Sequence, residues 1–371
     1  MKSVRNERGI ALAMAIFALV VIGALVAGSF FIGMQEQRVG RNTITHQQAF
    51  SAAEEGASQQ VTGWTTGTLN QLPIGDSVLF AGTLPSNGGW YRGSTRRLSD
   101  LNYLVRSEGF SRDSASRQQV GLLVRLRPIQ FNVTAALKTQ GMLKIGGSSM
   151  IDGNDHFPPG WTGCPALNPA LPGIQLPDIT QISTSGCKDM SCVTGNPPIE
   201  EDPSITVGSL ETFGDVSFDD LKAMANKFVG SGTRKVAPTL TGTACNKTDE
   251  NNWGDPLNPA QPCGDYFPII WVEGDANING EQGQGVLIVN GNLDVQGGFQ
   301  FYGPVIVRKT VNTQGTGGHF NGGLIAANVD FDQNVVLGNA VVNYSSCAII
   351  KALQNSAPGA LFQERSWVNL N

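Results

Sequence analysis

The chain of 371 residues has room for a membrane helix followed by one large or two ordinary domains. Glycine is abundant, with 46 residues, while only 15% of residues are charged. The net charge of −5 comes without an extended basic stripe, so the composition argues against a nucleic-acid partner.

An apolar segment near the N-terminus predicts a membrane-spanning helix. The run from Ile10 to Met34 contains no charged residue and is long enough, as a helix, to cross a bilayer. Basic side chains precede it, so the positive-inside rule keeps the start in the cytoplasm and sends the remainder outside; they are Lys2, Arg5 and Arg8. A cleaved signal peptide, with a poor site at residues 26–28, and an ordinary signal anchor are the alternatives.

This helix is predicted to continue beyond the membrane to about Val61. Residues 35–64 contain no proline. Several of their apolar and small side chains fall roughly on one side of a helical register, namely Val39, Ile44, Phe50, Ala53 and Ala57. The helix, residues 10–62, is therefore apolar all round in its inner half and amphipathic in its outer half. That pattern suits assembly as much as anchoring.

Gly9 followed by such a helix, and then by the segments QEQRVGRN and AFSAAEEGA, resembles the N-terminal region of PilX-like minor pilins of type IV pili. The resemblance covers about residues 5–60. It implies that residues 1–9 are a basic leader, which a prepilin peptidase cuts between Gly9 and Ile10, and that the new N-terminus is methylated. The chain departs from the major-pilin pattern at Ile10, where phenylalanine is commonest, and at Met14, where major pilins have glutamate.

Residues 63–130 are predicted to form a small antiparallel sheet. The stretch 64–93 is rich in turns and has little periodicity. Two strands are predicted at 101–111 and 117–128, separated by the polar turn RDSAS. The resemblance implies that this sheet packs on the outer half of the helix.

A repeat in the C-terminal third predicts a parallel β-solenoid. Short apolar runs begin at Val286, Val305, Leu324 and Val341, spaced by 19, 19 and 17 residues, and glycine or asparagine separates them. The segment LKIGGSSMIDGN from Leu143 is predicted to be an earlier rung. The resulting class is α+β, with residues 131–371 as a solenoid head; an antiparallel sandwich is the alternative.

The solenoid is predicted to carry an insertion at about residues 160–268. This region is rich in proline and cysteine and has few regular segments. One short helix is predicted in SFDDLKAMANKFV, residues 217–229, with Leu221, Met224, Ala225 and Phe228 on one face.

All six cysteines lie beyond the membrane helix, on the side predicted to be outside, which favours disulfides. Six cysteines allow fifteen pairings. We favour two short loops and one long closure, namely Cys187–Cys192, Cys245–Cys263 and Cys164–Cys347. Zinc is the alternative, but the spacing of Cys187 and Cys192 supplies only half a site.

Catalytic and metal motifs are incomplete. The string DANING matches the opening of an EF-hand loop, but Val286 stands where the twelfth-position glutamate belongs. Its calcium candidates are better explained as the outward side chains of a strand; they are Asp275, Asn277 and Asn279. Asp294 and Asp330, near Arg308 and Lys309, are the carboxylates considered for sugar cleavage. The three histidines, His46, His156 and His319, complete no triad.

The sequence therefore predicts a non-enzymatic minor pilin-like subunit without a cofactor, which primes or caps a type IV pilus at its tip and displays a head for adhesion. Its predicted partners are other minor and major pilins, the prepilin peptidase, the inner-membrane assembly platform, and a surface or carbohydrate ligand. The chain is expected in the inner membrane before assembly and in the cell-surface pilus afterwards. The alternative is a membrane-anchored extracellular solenoid that binds or cleaves polysaccharide.

Overall fold

A computed structural model describes residues 8–86, 88–127, 131–213, 216–330, 333–357, 359–361 and 367–369. A long N-terminal helix leads into a small antiparallel sheet and then into a large curled parallel sheet. This arrangement confirms the predicted α+β class.

Helix α1 spans Arg8–Thr62, 55 residues, and is therefore about 82 Å long at 1.5 Å per residue. It ends at Gly63, whose amide donates to the carbonyl of Gln59. Its most apolar 18-residue window has a mean hydropathy of 2.7 and none of it is buried, so by length and composition this helix qualifies as a membrane span. The end at Thr62 agrees with the predicted helix of residues 10–62.

The outer half of α1 packs on the antiparallel sheet through small residues. Ala49, Ala52, Ala53 and Ala57 are fully buried, and Gly56 lies beneath the ring of Tyr91. The segment AFSAAEEGA therefore supplies a smooth helix face on which a sheet can lie closely. By contrast, Val39 and Ile44, predicted to share that side of the helix, are exposed.

The antiparallel sheet is built mainly from four successive strands, β1 (Ser77–Thr83), β2 (Trp90–Arg97), β3 (Asn102–Phe110) and β4 (Arg117–Leu126). A short helix, α2 (Thr66–Leu69), precedes it. The strands β3 and β4 match the prediction, whereas β1 and β2 were missed. In SVLFAGT the exposed side of β1 carries Leu79 and Ala81, so the sequence lacks the alternation of polar and apolar residues that marks a half-buried strand.

The head is a parallel β-solenoid whose rungs stack at the spacing of paired strands. Its strands are β5 (Leu137–Thr139), β6 (Leu143–Gly146), β7 (Met150–Asp152), β8 (Ile174–Leu176), β9 (Ile182–Ser185), β10 (Val193–Thr194), β11 (Ile199–Glu201), β14 (Lys227–Arg234), β17 (Ile269–Asn279), β18 (Gln282–Gln284), β19 (Val286–Val289), β20 (Leu293–Gln296), β21 (Phe299–Val307), β22 (Val311–Thr313), β23 (Gly318–Ala326), β24 (Asn334–Val336) and β25 (Val341–Tyr344). Two hairpins lie outside the stack: β12 (Thr212–Phe213) with β13 (Val216–Ser217), and β15 (Leu240–Thr241) with β16 (Ala244–Cys245).

The rungs do not stack in chain order. In the wall that we call the first wall, the stacked segments are 227–230, 269–272, 286–289, 305–307, 324–326, 137–139, 174–176 and 199–201. The rung of β5, β6 and β7 thus follows the last C-terminal rung, with Leu137 beside Leu324 and Met150 beside Val341. The prediction that residues 143–154 form an earlier rung was right about the rung and wrong about its place.

Part of the region 160–268 belongs to the solenoid stack, which corrects the predicted insertion for that part. It contributes β8, β9, β10, β11 and β14 to the stack. Its strands are short and separated by long loops, including the 3-10 turns Ile179–Gln181 and Lys188–Met190, so they show no period in the sequence. Helix α4 (Phe218–Met224) is also shorter than predicted, because Phe228 belongs to β14 and is exposed.

A segment that we call the strap connects the two ends of the stack across the first wall. It comprises residues 202–213 and 216–226 and includes helices α3 (Val207–Leu210) and α4. Its buried side chains pack on outward residues of the first wall; the strap contributes Ile205, Leu210, Phe213, Phe218 and Leu221. Because the first wall is covered on both faces, its strands are apolar throughout, as VLIV shows.

One end of the stack is closed by a cap, residues 235–268. Trp253 inserts from it into the core and packs edge-on against Phe299, with ring centroids 6.1 Å apart. The ammonium of Lys227, on the terminal strand β14, donates to the carbonyls of Lys247 and Asp249 at 3.1 and 2.6 Å. Burial lowers the pKa of Lys227, and the nearby Asp249 opposes that shift.

The end of the chain returns to the antiparallel sheet. Helix α5 (Ser346–Ser356) follows the last rung, and β26 (Gly359–Leu361) and β27 (Trp367–Asn369) then pair with β4. The predicted head of residues 131–371 therefore contains a C-terminal segment that belongs to the sheet.

Candidate functional site

The N-terminal half of α1 is the first candidate surface. The backbone at Gly9 and Ile10 is helical and continuous with the apolar segment. The Met14 side chain is 70% exposed. Large apolar side chains on every side of the helix are exposed as well, among them Leu12, Phe17 and Phe30. A bare apolar cylinder of this kind requires lipid or other apolar helices around it.

The contact between α1 and the sheet depends on glycine. A Cβ built on Gly109 would lie 2.1 Å from the carbonyl oxygen of Ala49 and 2.2 Å from the amide nitrogen of Ala53. Both atoms belong to helix backbone, so nothing flexible would yield. Nearby, the hydroxyl of Tyr91 donates to Gln59 Oε1 at 2.5 Å. The helix and the sheet are thereby held in one relative position.

Asn70 joins the sheet to the head. Its side-chain amide donates to the carbonyls at the C-terminal end of α5 and just beyond, those of Gln354, Asn355 and Ala357, at 2.8, 3.2 and 2.9 Å. Its Oδ1 accepts from the indole N–H of Trp64 at 2.8 Å. Asn70 is 2% exposed, so these bonds are made away from water. This role of Asn70 was not predicted from the sequence, because an asparagine in a turn-rich segment gives no sign of a distant partner.

Three disulfides staple the head, and they are the pairs that we favoured from the sequence. Cys164–Cys347 ties the segment after β7 to the start of α5, and the partners have a sequence separation of 183. Cys187–Cys192 closes a loop beside β9, and Cys245–Cys263 holds the cap. The arrangement suits an oxidising compartment.

The calcium candidates are explained by the corner of the solenoid. Asp275 Oδ1 accepts from the backbone amide of Asn292 at 2.7 Å. Asn292 in turn accepts from the amide and hydroxyl of Thr310. Asn277 lies beside Asp294 in the parallel register, and Val286 is buried. Within the described residues, no group of three or more His, Cys, Asp or Glu side chains could hold a metal ion.

The same corner forms a polar groove of about 490 Å³ between the first wall and the next one, which we call the second wall and which includes the stacked segments 276–279, 293–295 and 311–313. Ser231, Asn277, Asn290, Asp294 and Lys309 line it, on four successive rungs. Lys309 pairs with Asp330 at 2.8 Å, and Arg308 pairs with Glu211 of the strap at 2.8 Å. The carboxylates considered for catalysis thus have different surroundings: Asp330 is ion-paired, while Asp294 sits in a ladder of amide side chains.

Glu273 anchors the strap at the edge of this groove. It accepts from the ammonium of Lys222, from the indole N–H of Trp271 and from Asn290, at 2.5, 2.8 and 3.2 Å. These hydrogen bonds, led by that of Lys222, lower the pKa of the Glu273 carboxyl to about 2. The cluster is accounted for by its structural role.

The three histidines lie in different parts of the fold and have different surroundings. His156 pairs with Asp152 at 2.7 Å on the third wall, formed by segments such as 282–284 and 341–344. His319 contacts the carbonyl of Asn339, and His46 lies on α1. The described geometry brings none of them to a serine or cysteine nucleophile with an acidic partner.

Comparison with known proteins gives little beyond this geometry. No family model matches the chain, and no curated protein matches it. The chain is similar to a solved structure, the competence-associated pilin ComZ from Thermus thermophilus. The identity is 13%, the match covers 88% of this chain and 97% of that one, and the TM-score is 0.24. Two backbones do not superpose as one fold at that TM-score, so function is inferred from the chain's own geometry.

Proposed function

We propose that this chain is a minor pilin-like subunit of a type IV pilus, structural rather than enzymatic. The observation that carries the proposal is helix α1: one continuous rod that is bare and apolar in its inner half and packed on an antiparallel sheet in its outer half. Such a rod can leave the membrane and enter a bundle of similar helices without refolding. An ordinary anchor requires no rigid extension into the folded part.

In this proposal residues 1–9 are a leader and residues 10–62 are the membrane and assembly helix. The prepilin peptidase would cut after Gly9, in the inner membrane, before the assembly platform and other pilins receive the subunit. We expect mass spectrometry of the mature protein to find a chain that begins at methylated Ile10. A chain that begins at Met1, or near Gly28, would contradict the proposal and favour an anchor or a signal peptide.

We place the subunit at or near the tip and in low copy number. In the pilins that the sequence resembles, a glutamate at the position of Met14 pairs with the N-terminal amine of a neighbouring subunit. Methionine avoids the cost of a buried carboxylate, about 2.5–3.5 kcal/mol on insertion scales, but cannot form that pair. The head adds a steric reason, because eight stacked segments make the first wall about 34 Å long.

Gold labelling of the head on isolated filaments is expected to decorate filament ends. The variant Met14→Glu should enter the shaft more often, since it restores the pairing partner, and Met14→Leu serves as the matched apolar control. Uniform decoration of the shaft by the unmodified chain would contradict placement at the tip.

The polar groove favours a second candidate, an anchored solenoid that binds polysaccharide. Hydroxyl, amide and carboxylate side chains from successive rungs face one channel of about 490 Å³. Such a lining suits a polyol, and in a tip subunit it would serve adhesion. The anchored form without a filament is distinguished by its N-terminus, which would not be cut after Gly9.

A further inference from the structure

Basic residues are divided unevenly between the sheet and the head. Residues 63–130 contain eight arginines, no lysine and four acidic residues, an excess of four positive charges. Residues 131–357 contain nine lysines, two arginines and twenty-one acidic residues, an excess of ten negative charges. Arginine differs from lysine in offering a planar fork of donors that matches a carboxylate. It is the only basic residue type in residues 63–130, so every cation of this region has that geometry.

Five of these arginines lie on the side of the sheet opposite α1. Their backbone positions on β2, β3 and β4 alternate with residues that are buried against the helix, such as Thr95 and Val105. We call this surface the arginine face; its members, all exposed, are Arg92, Arg96, Arg106, Arg117 and Arg125. In the strand register no two of these arginines are directly opposite each other, so the guanidiniums are distributed over the face.

The arginine face already binds one carboxylate. Glu108 accepts from Arg92 Nε at 3.0 Å and from Arg117 Nη2 at 2.6 Å. The register places Arg106, one step along the same side of β3, between Ser94 and Gly121, neither of which is charged. The Nε–H of Arg96 donates to the carbonyl oxygen of Gly75, and the Arg96 side chain is exposed. A carboxylate above Arg106 would repeat the arrangement around Glu108.

An apolar depression adjoins these guanidiniums. A concavity of about 550 Å³ is lined by Leu79, Ala81, Arg106 and Glu108, among others. Leu79 is 80% exposed, the most exposed large apolar side chain of the described residues. The nearby aromatic rings are occupied: Trp90 and Phe110 stack on each other at 3.9 Å, and Arg92 covers the Phe110 ring. The surface therefore offers guanidiniums and an apolar recess, and both of these rings already have a stacking partner.

We propose that the arginine face binds an acidic segment of a partner protein. Carboxylates of the segment pair with Arg106 and Arg96, and an apolar side chain beside them covers Leu79. The occupant is a polypeptide because one surface offers both charge and an apolar recess, as charge-complementary protein interfaces do. This inference is independent of the pilus, since it concerns binding by the isolated chain.

The test uses the full chain in a neutral detergent and a fluorescent short peptide of alternating glutamate and leucine. We expect saturable binding by fluorescence anisotropy, weakened by salt because exposed charges are screened. Arg106→Gln should weaken binding about tenfold, since a charge-assisted hydrogen bond is lost, and Arg106→Lys should recover part of it. Lys144→Gln, on the outer side of β6, removes the same charge from the head and should leave binding unchanged.

Three further probes make the inference refutable. The same peptide with glutamine in place of glutamate should not bind. Single-stranded DNA of equal length, and vesicles of phosphatidylglycerol, should bind more weakly than the acidic peptide; equal or tighter binding of either would overturn the proposal. It would also fail if Arg106→Gln and Lys144→Gln had the same effect. Unchanged thermal unfolding of both variants shows that the fold is intact.

Discussion

Replacing Gly109 with valine is expected to detach the antiparallel sheet from α1. The new side chain would meet the backbone of Ala49 and Ala53 at little more than 2 Å, and the Ala52 carbonyl carbon at 2.8 Å. Because all three belong to a regular helix, the strand must move away. We expect a loss of about 3 kcal/mol or more in the free energy of unfolding, at or above the usual range for overpacking.

Hydrogen exchange on the full chain in detergent measures this directly. Residues 45–62 should remain helical, but their amides should lose protection from hydrogen exchange. Amides of the solenoid should keep their protection. The control is Gly230→Val on β14, where an added Cβ finds only the end of the Arg234 side chain, at 3.4 Å, and no backbone atom. If Gly109→Val were as mild as Gly230→Val, the close packing of helix on sheet would be refuted.

Removing the long disulfide is expected to cost more than removing either short one. In the chain-entropy account, cross-linking Cys164 to Cys347 restricts a loop of 183 residues in the unfolded chain. The resulting stabilisation of the folded state is about 5 kcal/mol. For Cys187–Cys192, whose sequence separation is 5, it is about 2 kcal/mol. The double alanine variants should therefore differ by about 3 kcal/mol.

Thermal unfolding followed by near-ultraviolet circular dichroism compares the two double variants. Peptide mapping without reductant checks that the remaining pairs are intact, and it should find no free thiol in the parent chain. Equal destabilisation by the two double variants would show that loop length does not govern the effect. Six free thiols, or bound zinc, would refute the bridges themselves.

The helix and the C-terminal rungs could be predicted because their signals are local. An uncharged run of 25 residues and short apolar runs at a nearly constant period each report on neighbouring residues. The region 160–268 could not be predicted in the same way. Its strands β8 and β9 have three and four residues, and their partners β5 and β6 lie in other parts of the sequence. The strap could not be predicted for the same reason, because its apolar residues pack on a wall that forms only when distant segments pair.

The residues of the candidate functional surfaces also fall into two groups, those named from the sequence and those that were missed. Gly9, Ile10 and Met14 were named from a resemblance, and their roles stay predictions. The calcium candidates were assigned an outward, structural position, and the structure shows the same strand register, with Ala276 and Ile278 beside Leu293 and Val295. Asn70 and the arginine face were missed, since one depends on a partner 284 to 287 residues away and the other on strands brought side by side. The complete absence of lysine from residues 63–130 was the available signal.

The order of the rungs also determines when the head can fold. In the orientation that we propose, the segments that follow α1 cross the membrane first, so β5, β6 and β7 arrive early. The strands that pair with one edge of each lie far downstream: Thr139 bonds to Ala326, 187 residues later. Contacts of such separation slow folding, and open strand edges invite pairing with other chains while they wait. In that orientation one edge of the first rungs stays open until the last third of the chain has crossed the membrane. A chain interrupted before that point would leave β5, β6 and β7 paired only with β8, β9 and β10, with their other edge open to pairing with other chains.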